Sequence, residues 1–272
     1  MIHPLRLLPL IAALLVSGCG LLPDAEDETK GWSQQRLFGA MKEALDDQRW
    51  EDCGNYGGKL LARYPFGRMA QQSFLDKAYC HYKGQEPDAG LATLDRFFKS
   101  YPRHPYADYA YYLRGVINFN RGRGLLQRYL NFDESQRDPG AAIDSFYDFE
   151  KVVTRFPDSR YAEDSRLRML YLRNNLAEYE VAVADWYMRR QAYLAAANRA
   201  KTVVENYQRT PHQEQALQLM IAAYDALGLE DLKADSVRVL KRNFPNADPG
   251  AYSTEEPSIW KSLNFLFDDK EI

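Results

Sequence analysis

The stretch "RFPDSRYAEDSRLRM", residues 155–169, decides the fold of this chain. It consists of an aromatic residue followed by proline, a short polar turn, and the start of an amphipathic segment. Proline has no backbone N–H to donate, and it disfavours the α conformation in the residue before it, so a helix must end at Phe156. The next helix is predicted to begin within a few residues.

A similar pattern recurs along the chain in "RYPFGRMAQQSF" (63–74), "SYPRHPYADYAYYL" (100–113), "NYQRTPHQEQALQLM" (206–220) and "NFPNADP" (243–249). Its aromatic residues are 37, 55, 51 and 37 positions apart, and they are Tyr64, Tyr101, Phe156, Tyr207 and Phe244. The short intervals suit a two-helix repeat of the tetratricopeptide type, which is about 34 residues long, and the long intervals require inserts. We therefore predict an all-α, tetratricopeptide-type helical-repeat solenoid of about five helix pairs, with another helical-hairpin array as the alternative.

The predicted helix pairs are 33–47 with 49–64, 69–83 with 87–101, 105–121 with 140–156, 160–190 with 192–207, and 213–227 with 229–243. Small residues fall where two helices of a repeat would touch, at Cys53, Ala78 and Gly90. Gly54, Gly57 and Gly58 weaken the second helix by about 1 kcal/mol each relative to alanine. Either neighbouring packing holds that helix, or its backbone is open to a close approach.

Helix 160–190 is unusually long and should project beyond its partner or bridge two layers of the stack. Its Tyr179, Val183 and Trp186 are spaced i, i+4 and i+7, which predicts a buried stripe, with an exposed partner face as the alternative. The insert after Asn118 contains Arg121-Gly122-Arg123-Gly124, which lacks the Lys-Ser/Thr ending of a phosphate loop. It is interpreted as a flexible loop, with a ligand site as the alternative.

Residues 1–18 have the features of a targeting segment, with Arg6 ahead of a short apolar run that is too short to span a bilayer. The sequence Val16-Ser17-Gly18-Cys19 resembles the lipobox of bacterial lipoproteins, which predicts cleavage before Cys19 and lipidation of its thiol. A cleaved signal with an incidental cysteine is the alternative. Gly20 follows, and by this resemblance it implies the outer membrane.

These features divide the chain into a signal peptide (1–18), a lipidated flexible tether (19–31), repeats 1–2 (32–103), repeat 3 with its loop (104–158), repeats 4–5 (159–247) and a tail (248–272). The tail contains apolar residues that could cap the final repeat or dock elsewhere: Ile259, Trp260, Leu263, Phe265, Leu266 and Phe267.

The composition fits a folded chain, with 46% hydrophobic and 27% charged residues, and a net charge of −3 gives no indication of nucleic-acid binding. Cys53 and Cys80 either form a disulfide or remain reduced in the core, and the sequence leaves both open. No catalytic or nucleotide-binding motif occurs, and adjacent residues such as Cys80 and His81 point about 100° apart on a helix. The pattern favours a binding scaffold without catalytic residues.

The lipobox, "RYPFGRMAQQ", "YYLRG" (111–115), "RDPGAAIDSFYDFEKVV" (137–153), "LAEYEVAVADWYMRR" (176–190) and "YLAAANRAKTVVENY" (193–207) together resemble the BamD, or competence lipoprotein, family of the β-barrel assembly machinery. The resemblance runs from Cys19 to about Pro245. It implies a lipid-anchored scaffold on the periplasmic face of the outer membrane, with no cofactor and no metal. Its implied partners are BamA through the C-terminal half, unfolded outer-membrane proteins through the N-terminal half, and the lipoproteins BamC and BamE.

By the same resemblance, Asn198 and Arg199 lie on the surface that faces BamA, and Tyr64, Phe66 and Tyr109 lie in an N-terminal peptide groove. Tyr64 could equally pack at a helix end, and Arg199 could lie across its own helix. The sequence departs from the family at Gln191, where glycine is common, and at the glycines of the second helix. The alternative function is a tetratricopeptide lipoprotein scaffold for pilus, secretin or cell-wall assembly, and an enzyme is the third class.

Overall fold

The computed structural model describes residues 27–121 and 139–252, and within these ranges it contains α-helices and no strand. The helices are α1 (Gln34–Asp46), α2 (Trp50–Arg63), α3 (Arg68–Lys83), α4 (Pro87–Ser100), α5 (Ala107–Arg121), α6 (Gly140–Arg155), α7 (Ala162–Arg189), α8 (Tyr193–Asn206), α9 (Gln213–Ala226) and α10 (Glu230–Asn243). Consecutive helices pack against each other as pairs. The prediction of an all-α array of about five helix pairs is confirmed.

The repeated aromatic residue is the point at which the second helix of every pair ends. Each of the five follows the last helical residue directly, with φ between −118° and −136°, and its N–H still donates to the carbonyl four residues earlier. In four of the five cases proline comes next, and it prevents the helix from continuing. These breaks follow from the sequence as predicted.

The turn inside a repeat also has a common geometry. The second residue after α1, α3, α7 and α9 has a positive φ, at 60° for Gln48, 63° for Gln85, 59° for Gln191 and 66° for Gly228. Glycine adopts this left-handed conformation most readily. Gln191 therefore makes the same turn as its counterparts.

The first helices of neighbouring repeats also contact one another, α1 with α3, α3 with α5, and α7 with α9. No comparable contact joins second helices within the described ranges. An array in which the first helices are closer together curves toward them, so α1, α3, α5, α7 and α9 line its inner face.

Small residues allow this close packing. A Cβ atom on Gly90 of α4 would lie 3.2 Å from the carbonyl oxygen of Ala78 on α3, at the contact that the sequence predicted. A Cβ on Gly57 of α2 would lie 3.1 Å from Cβ of Lys77 and 3.2 Å from Sδ of Met41. Packing from both neighbouring helices therefore supports the glycine-rich helix α2.

The long helix α7 contacts α6, α8 and α9, so it bridges two layers of the stack, which is one of the two expected arrangements. The predicted buried stripe is wrong: Tyr179 and Val183 are half-buried and Trp186 is exposed. Alanines of α8 and α9 pack closely against α7, and this spacing favours small residues on α7. The buried stripe consists of Ala177, Val181, Ala184 and Met188.

Residues 27–31, which the sequence assigned to the flexible tether 19–31, pack on α2. Asp27 pairs with Lys59 and Arg63 of α2, and Arg63 also donates to the carbonyl of Thr29. Residues 27–31 therefore belong to the folded array, because α2 offers two cations to the one carboxylate. Residues 1–26, 122–138 and 253–272 lie outside the described ranges, and with them the predictions for Cys19, for most of the insert, and for the apolar residues of the tail.

Candidate functional site

Arg199 lies on α8 and reaches across to α7. Its Nη1 donates to both carboxylate oxygens of Glu180, at 3.3 and 3.2 Å. The Glu180 side chain is 11% exposed, whereas that of Arg199 is 43% exposed. The hydrogen bond to Glu180 raises the pKa of Arg199 above its usual range. Within the described residues Nη1 is the one atom of this guanidinium with a hydrogen bond, so its remaining donors can meet a second carboxylate.

Large apolar side chains are exposed on the same two helices. Trp186 of α7 is 44% exposed, and the guanidinium carbon of Arg190 lies 4.1 Å from the centre of its ring. Leu194 of α8 is also exposed, and Asn198, one turn further on, is exposed as well. We use the name α7–α8 surface for six residues of these two helices and of the turn that joins them: Glu180, Trp186, Arg190, Leu194, Asn198 and Arg199. It combines apolar, amide and cationic groups, as protein-binding surfaces do.

The structure separates the three aromatic residues assigned to an N-terminal groove. Tyr64 is half-buried, and its hydroxyl donates to the carbonyl of Trp32 at 2.9 Å. Tyr109 is half-buried against the same N-terminal core. Phe66 is 81% exposed in the loop between α2 and α3. Tyr64 and Tyr109 thus flank one core, and Phe66 stands outside it.

Tyr109 belongs to an aromatic group on the inner face. Its ring lies 5.6 Å from that of Tyr161, which stacks on Tyr112 at 4.7 Å. The Tyr112 hydroxyl donates to Asp164 at 2.9 Å. Burial, and then the neighbouring tyrosine and Asp76, raise the pKa of the Tyr109 hydroxyl above its usual range. Tyr109, Tyr112 and Tyr161 form what we call the tyrosine cluster, a half-buried group of rings, and the guanidinium carbon of Arg160 lies 5.4 Å from the centre of the Tyr161 ring.

Cys53 of α2 and Cys80 of α3 form a disulfide in the structure, and both residues are fully buried. The bond joins the second helix of repeat 1 to the first helix of repeat 2. Beside it, His81 Nδ1 lies 2.5 Å from an oxygen of Glu86. Because the sulfur of Cys80 is in the disulfide, it is not available as a thiolate for a cysteine–histidine pair.

A buried ion pair joins α5 and α6, and no pattern in the sequence predicted it. Arg114 donates to Asp148 through Nε at 2.9 Å and through Nη2 at 2.6 Å, and to Asp95 at 3.1 Å. These groups line a cleft of about 550 Å³ between α4, α5 and α6. The paired residues are 34 positions apart, so no local pattern could have identified them.

No cluster of three or more histidine, cysteine, aspartate or glutamate side chains in the two described ranges is arranged to hold a metal ion. The same part of the chain has no helix with the length and apolar character needed to cross a bilayer.

Comparison with known proteins gives the family. Residues 31–240 match the family model YfiO, described as "Outer membrane lipoprotein". The chain is 38% identical to the outer membrane protein assembly factor BamD of Neisseria meningitidis serogroup A over 244 residues, which cover 89% of this chain and 91% of that protein. It is 35% identical to the protein of the same name from Vibrio cholerae, over 86% of this chain and 96% of the relative.

A third relative with that name, from Xylella fastidiosa strain Temecula1, is 34% identical over 89% of this chain and 83% of its own length. The matched region runs through all ten helices, from the segment that docks on α2 into the last helix. The chain therefore belongs to the YfiO family of outer membrane lipoproteins, the family of the BamD assembly factors.

Proposed function

We propose that this chain is a non-catalytic scaffold for the assembly of outer-membrane β-barrel proteins, held on the periplasmic face of the outer membrane by lipid on Cys19. The observation that carries the proposal is the match, over almost nine tenths of the chain, to relatives named outer membrane protein assembly factors. Two binding surfaces at different points of one array suit a protein that brings an insertase and its client together.

The α7–α8 surface is the proposed site for the periplasmic domain of BamA. The half-exposed guanidinium of Arg199 is supported from one side by Glu180, which leaves its other donors to face a partner. Guanidinium and carboxylate groups can form two parallel hydrogen bonds, an arrangement that lysine cannot reproduce. An acidic residue of BamA is the proposed partner of Arg199, with Trp186 and Leu194 supplying apolar contact.

Binding of the mature chain to the purified periplasmic domain of BamA tests this assignment. We expect Arg199→Glu to weaken binding by at least about tenfold and Arg199→Lys by less, because a reversed charge repels the proposed carboxylate. Arg49→Glu is the matched control: the Arg49 side chain is also 43% exposed and paired with acidic residues, but it lies just before α2 at the other end of the array. Equal binding by the wild type, Arg199→Glu and Arg199→Lys would exclude Arg199 from the contact.

The tyrosine cluster is the proposed site for unfolded outer-membrane protein segments. Extended polypeptides rich in aromatic residues can stack on such rings and bond to their hydroxyls. We expect Tyr161→Ala to reduce crosslinking of an unfolded client, whereas Tyr106→Ala, at an exposed tyrosine outside the cluster, should leave it unchanged. Phe66 is not included in this surface, because its side chain extends into solvent from the loop before α3.

Purification from solubilised outer membrane distinguishes the two functional classes. Recovery of BamA, together with BamC and BamE, supports the proposal, and depletion of the protein should then reduce the amount of folded barrels. Recovery of a secretin with normal barrel levels would favour the alternative scaffold for pilus, secretin or cell-wall assembly. Mass spectrometry of the purified N-terminus tests lipidation of Cys19.

A further inference from the structure

The described chain begins on the surface of α2. Lys59 Nζ lies 2.7 Å from Oδ1 of Asp27, and Arg63 contacts the other carboxylate oxygen and the Thr29 carbonyl. Further along, the Tyr64 hydroxyl donates to the Trp32 carbonyl. These contacts hold residues 27–32 at the end of α2, beside the loop that leads to α3.

Seven residues, 20–26, separate Cys19 from Asp27. Eight residue-to-residue steps therefore join Cys19 to Asp27, and a fully extended chain spans at most about 29 Å over them. If Cys19 carries lipid, as the proposed function states, Asp27 and the loops around it must stay within that distance of the bilayer surface. The constraint therefore applies to the N-terminal end of the array, on the side where residues 27–32 pack beside the end of α2.

Two neighbouring loops lie on that side, residues 64–67 and 101–106. The Tyr101 hydroxyl donates to the Pro65 carbonyl at 3.1 Å, which joins the loops, and Gln34 Nε2 donates to the Phe66 carbonyl at 3.3 Å. Phe66 and Tyr106 project from them and are 81% and 58% exposed. Two large aromatic side chains are thus presented together, close to the point where the anchor enters.

Two arginines lie in or directly beside these loops, Arg103 within the second loop and Arg68 at the start of α3, directly after the first. Arg68 and Arg103 are exposed, and neither has a carboxylate partner within the described residues. Neither loop contains an acidic residue, and Arg36, which covers the ring of Trp32 at 4.0 Å, adds a third exposed guanidinium nearby. We call Phe66, Arg68, Arg103 and Tyr106 the anchor-proximal edge.

We propose that the anchor-proximal edge rests on the phospholipid surface to which the chain is anchored. Aromatic rings settle at the level of the lipid headgroups, and arginine side chains beside them reach anionic phosphates. Short basic and aromatic segments add to a lipid anchor in this way, as a second attachment. The contact fixes the orientation of the array, so the inner face with its tyrosine cluster is held at a constant angle to the membrane.

Quenching by brominated phospholipids tests the proposal in the lipidated full-length protein. The protein is reconstituted in vesicles of phosphatidylethanolamine and phosphatidylglycerol, and the emission added by Phe66→Trp is compared with that added by Leu232→Trp. Leu232 is exposed on α10, at the other end of the array. We expect the tryptophan at position 66 to lose about twice the fraction of emission lost at position 232, because interfacial rings lie at headgroup depth. Tyr106→Trp should behave as Phe66→Trp does and serves as the second reporter.

The contribution of the two arginines is tested by adding Arg68→Glu and Arg103→Glu to the Phe66→Trp protein. These changes should reduce the quenching at position 66 to the level found at position 232. Flotation of the same samples separates the possible failures. Protein that floats without selective quenching at positions 66 and 106 overturns the proposed contact and leaves the anchor intact. Protein that does not float overturns both the anchor and the contact. A change in tryptophan emission at position 66 that requires an unfolded client, and not lipid, would mean that the edge binds polypeptide. That result would also overturn the proposal.

Discussion

Gly115 of α5 lies directly against the ring of Phe149 on α6, and a Cβ atom on Gly115 would stand 2.8 Å from Cε1 of that ring. Phe149 is fully buried, and the hydroxyl of Ser145 on the same helix donates to the Gly115 carbonyl at 2.9 Å. The two helices of repeat 3 therefore touch at this pair through backbone, ring and hydroxyl.

Gly115→Ala is expected to destabilise the protein by about 1–3 kcal/mol, because the added methyl group overpacks a site that has no room to relax. The midpoint of urea denaturation measures the change. Gly39→Ala is the matched control, since Gly39 also lies inside a helix but has nothing within 4 Å of its added Cβ. That variant should gain about 0.5–1 kcal/mol from helix propensity. Equal effects of the two changes would contradict the contact.

Reduction of the Cys53–Cys80 disulfide is expected to lower the free energy of unfolding by about 3 kcal/mol. The two cysteines are 27 residues apart, and a crosslink over such a loop restricts the unfolded chain by an amount of that order. Urea denaturation with and without dithiothreitol measures the loss, with a thiol count to establish reduction. The double variant Cys53→Ala and Cys80→Ala should give the same curve in both buffers. An unchanged midpoint in the fully reduced wild type would show that the crosslink contributes nothing.

The docking of residues 27–32 on α2 is expected to depend on pH. The hydrogen bond from Lys59, and then that from Thr29, holds the pKa of the Asp27 carboxyl well below its usual range. A lowered pKa in the folded state means that the contact is fully present above the ordinary aspartate pKa and is lost as the pH falls below it. Fluorescence of a probe attached near residue 29 should report release only in acid below the ordinary pKa of aspartate. Asp27→Asn should give the released signal at neutral pH, and a probe signal that is the same in both proteins at every pH would argue against the docking.

Gln191→Gly is expected to stabilise the protein by about 0.5–1 kcal/mol, because glycine adopts a φ of 59° without the steric cost that glutamine bears. Gly228→Gln provides the opposite change at the equivalent turn of the next repeat, where φ is 66°. It should destabilise by a similar amount. Thermal unfolding of both variants measures the pair, and shifts of the same sign would mean that backbone conformation does not decide stability at this turn.

The helix ends were predictable because their cause is local: proline and the aromatic residue before it stop a helix whatever surrounds them. The orientation of α7, in contrast, could not be predicted from its sequence. Its sequence holds two apolar stripes, one with Tyr179, Val183 and Trp186 and another with Ala177, Val181 and Ala184. Large side chains favoured the first, but the alanines of α8 and α9 accept only the second.

The remaining differences arise from contacts between residues far apart in sequence. Asp27 meets Lys59 and Arg63, and Arg114 meets Asp148, across spacings that have no periodicity. Glu180 is also distant in sequence from Arg199, with which it forms an ion pair. Resemblance to a family therefore located the candidate surface, whereas the ion pair that supports Arg199 became visible only in the folded structure.

The continuous helix α7 determines the distance between the two proposed binding surfaces. Tyr112 contacts its first turn through Asp164, and Arg199 contacts it sixteen residues later through Glu180. With a rise of 1.5 Å per residue, about 24 Å of unbroken helix separates these two points. An insertion of four residues between them would lengthen the interval by about 6 Å and rotate one surface by about 40° relative to the other. The distance between the two proposed binding surfaces is thus set in helical steps, and a short insertion changes it together with the angle.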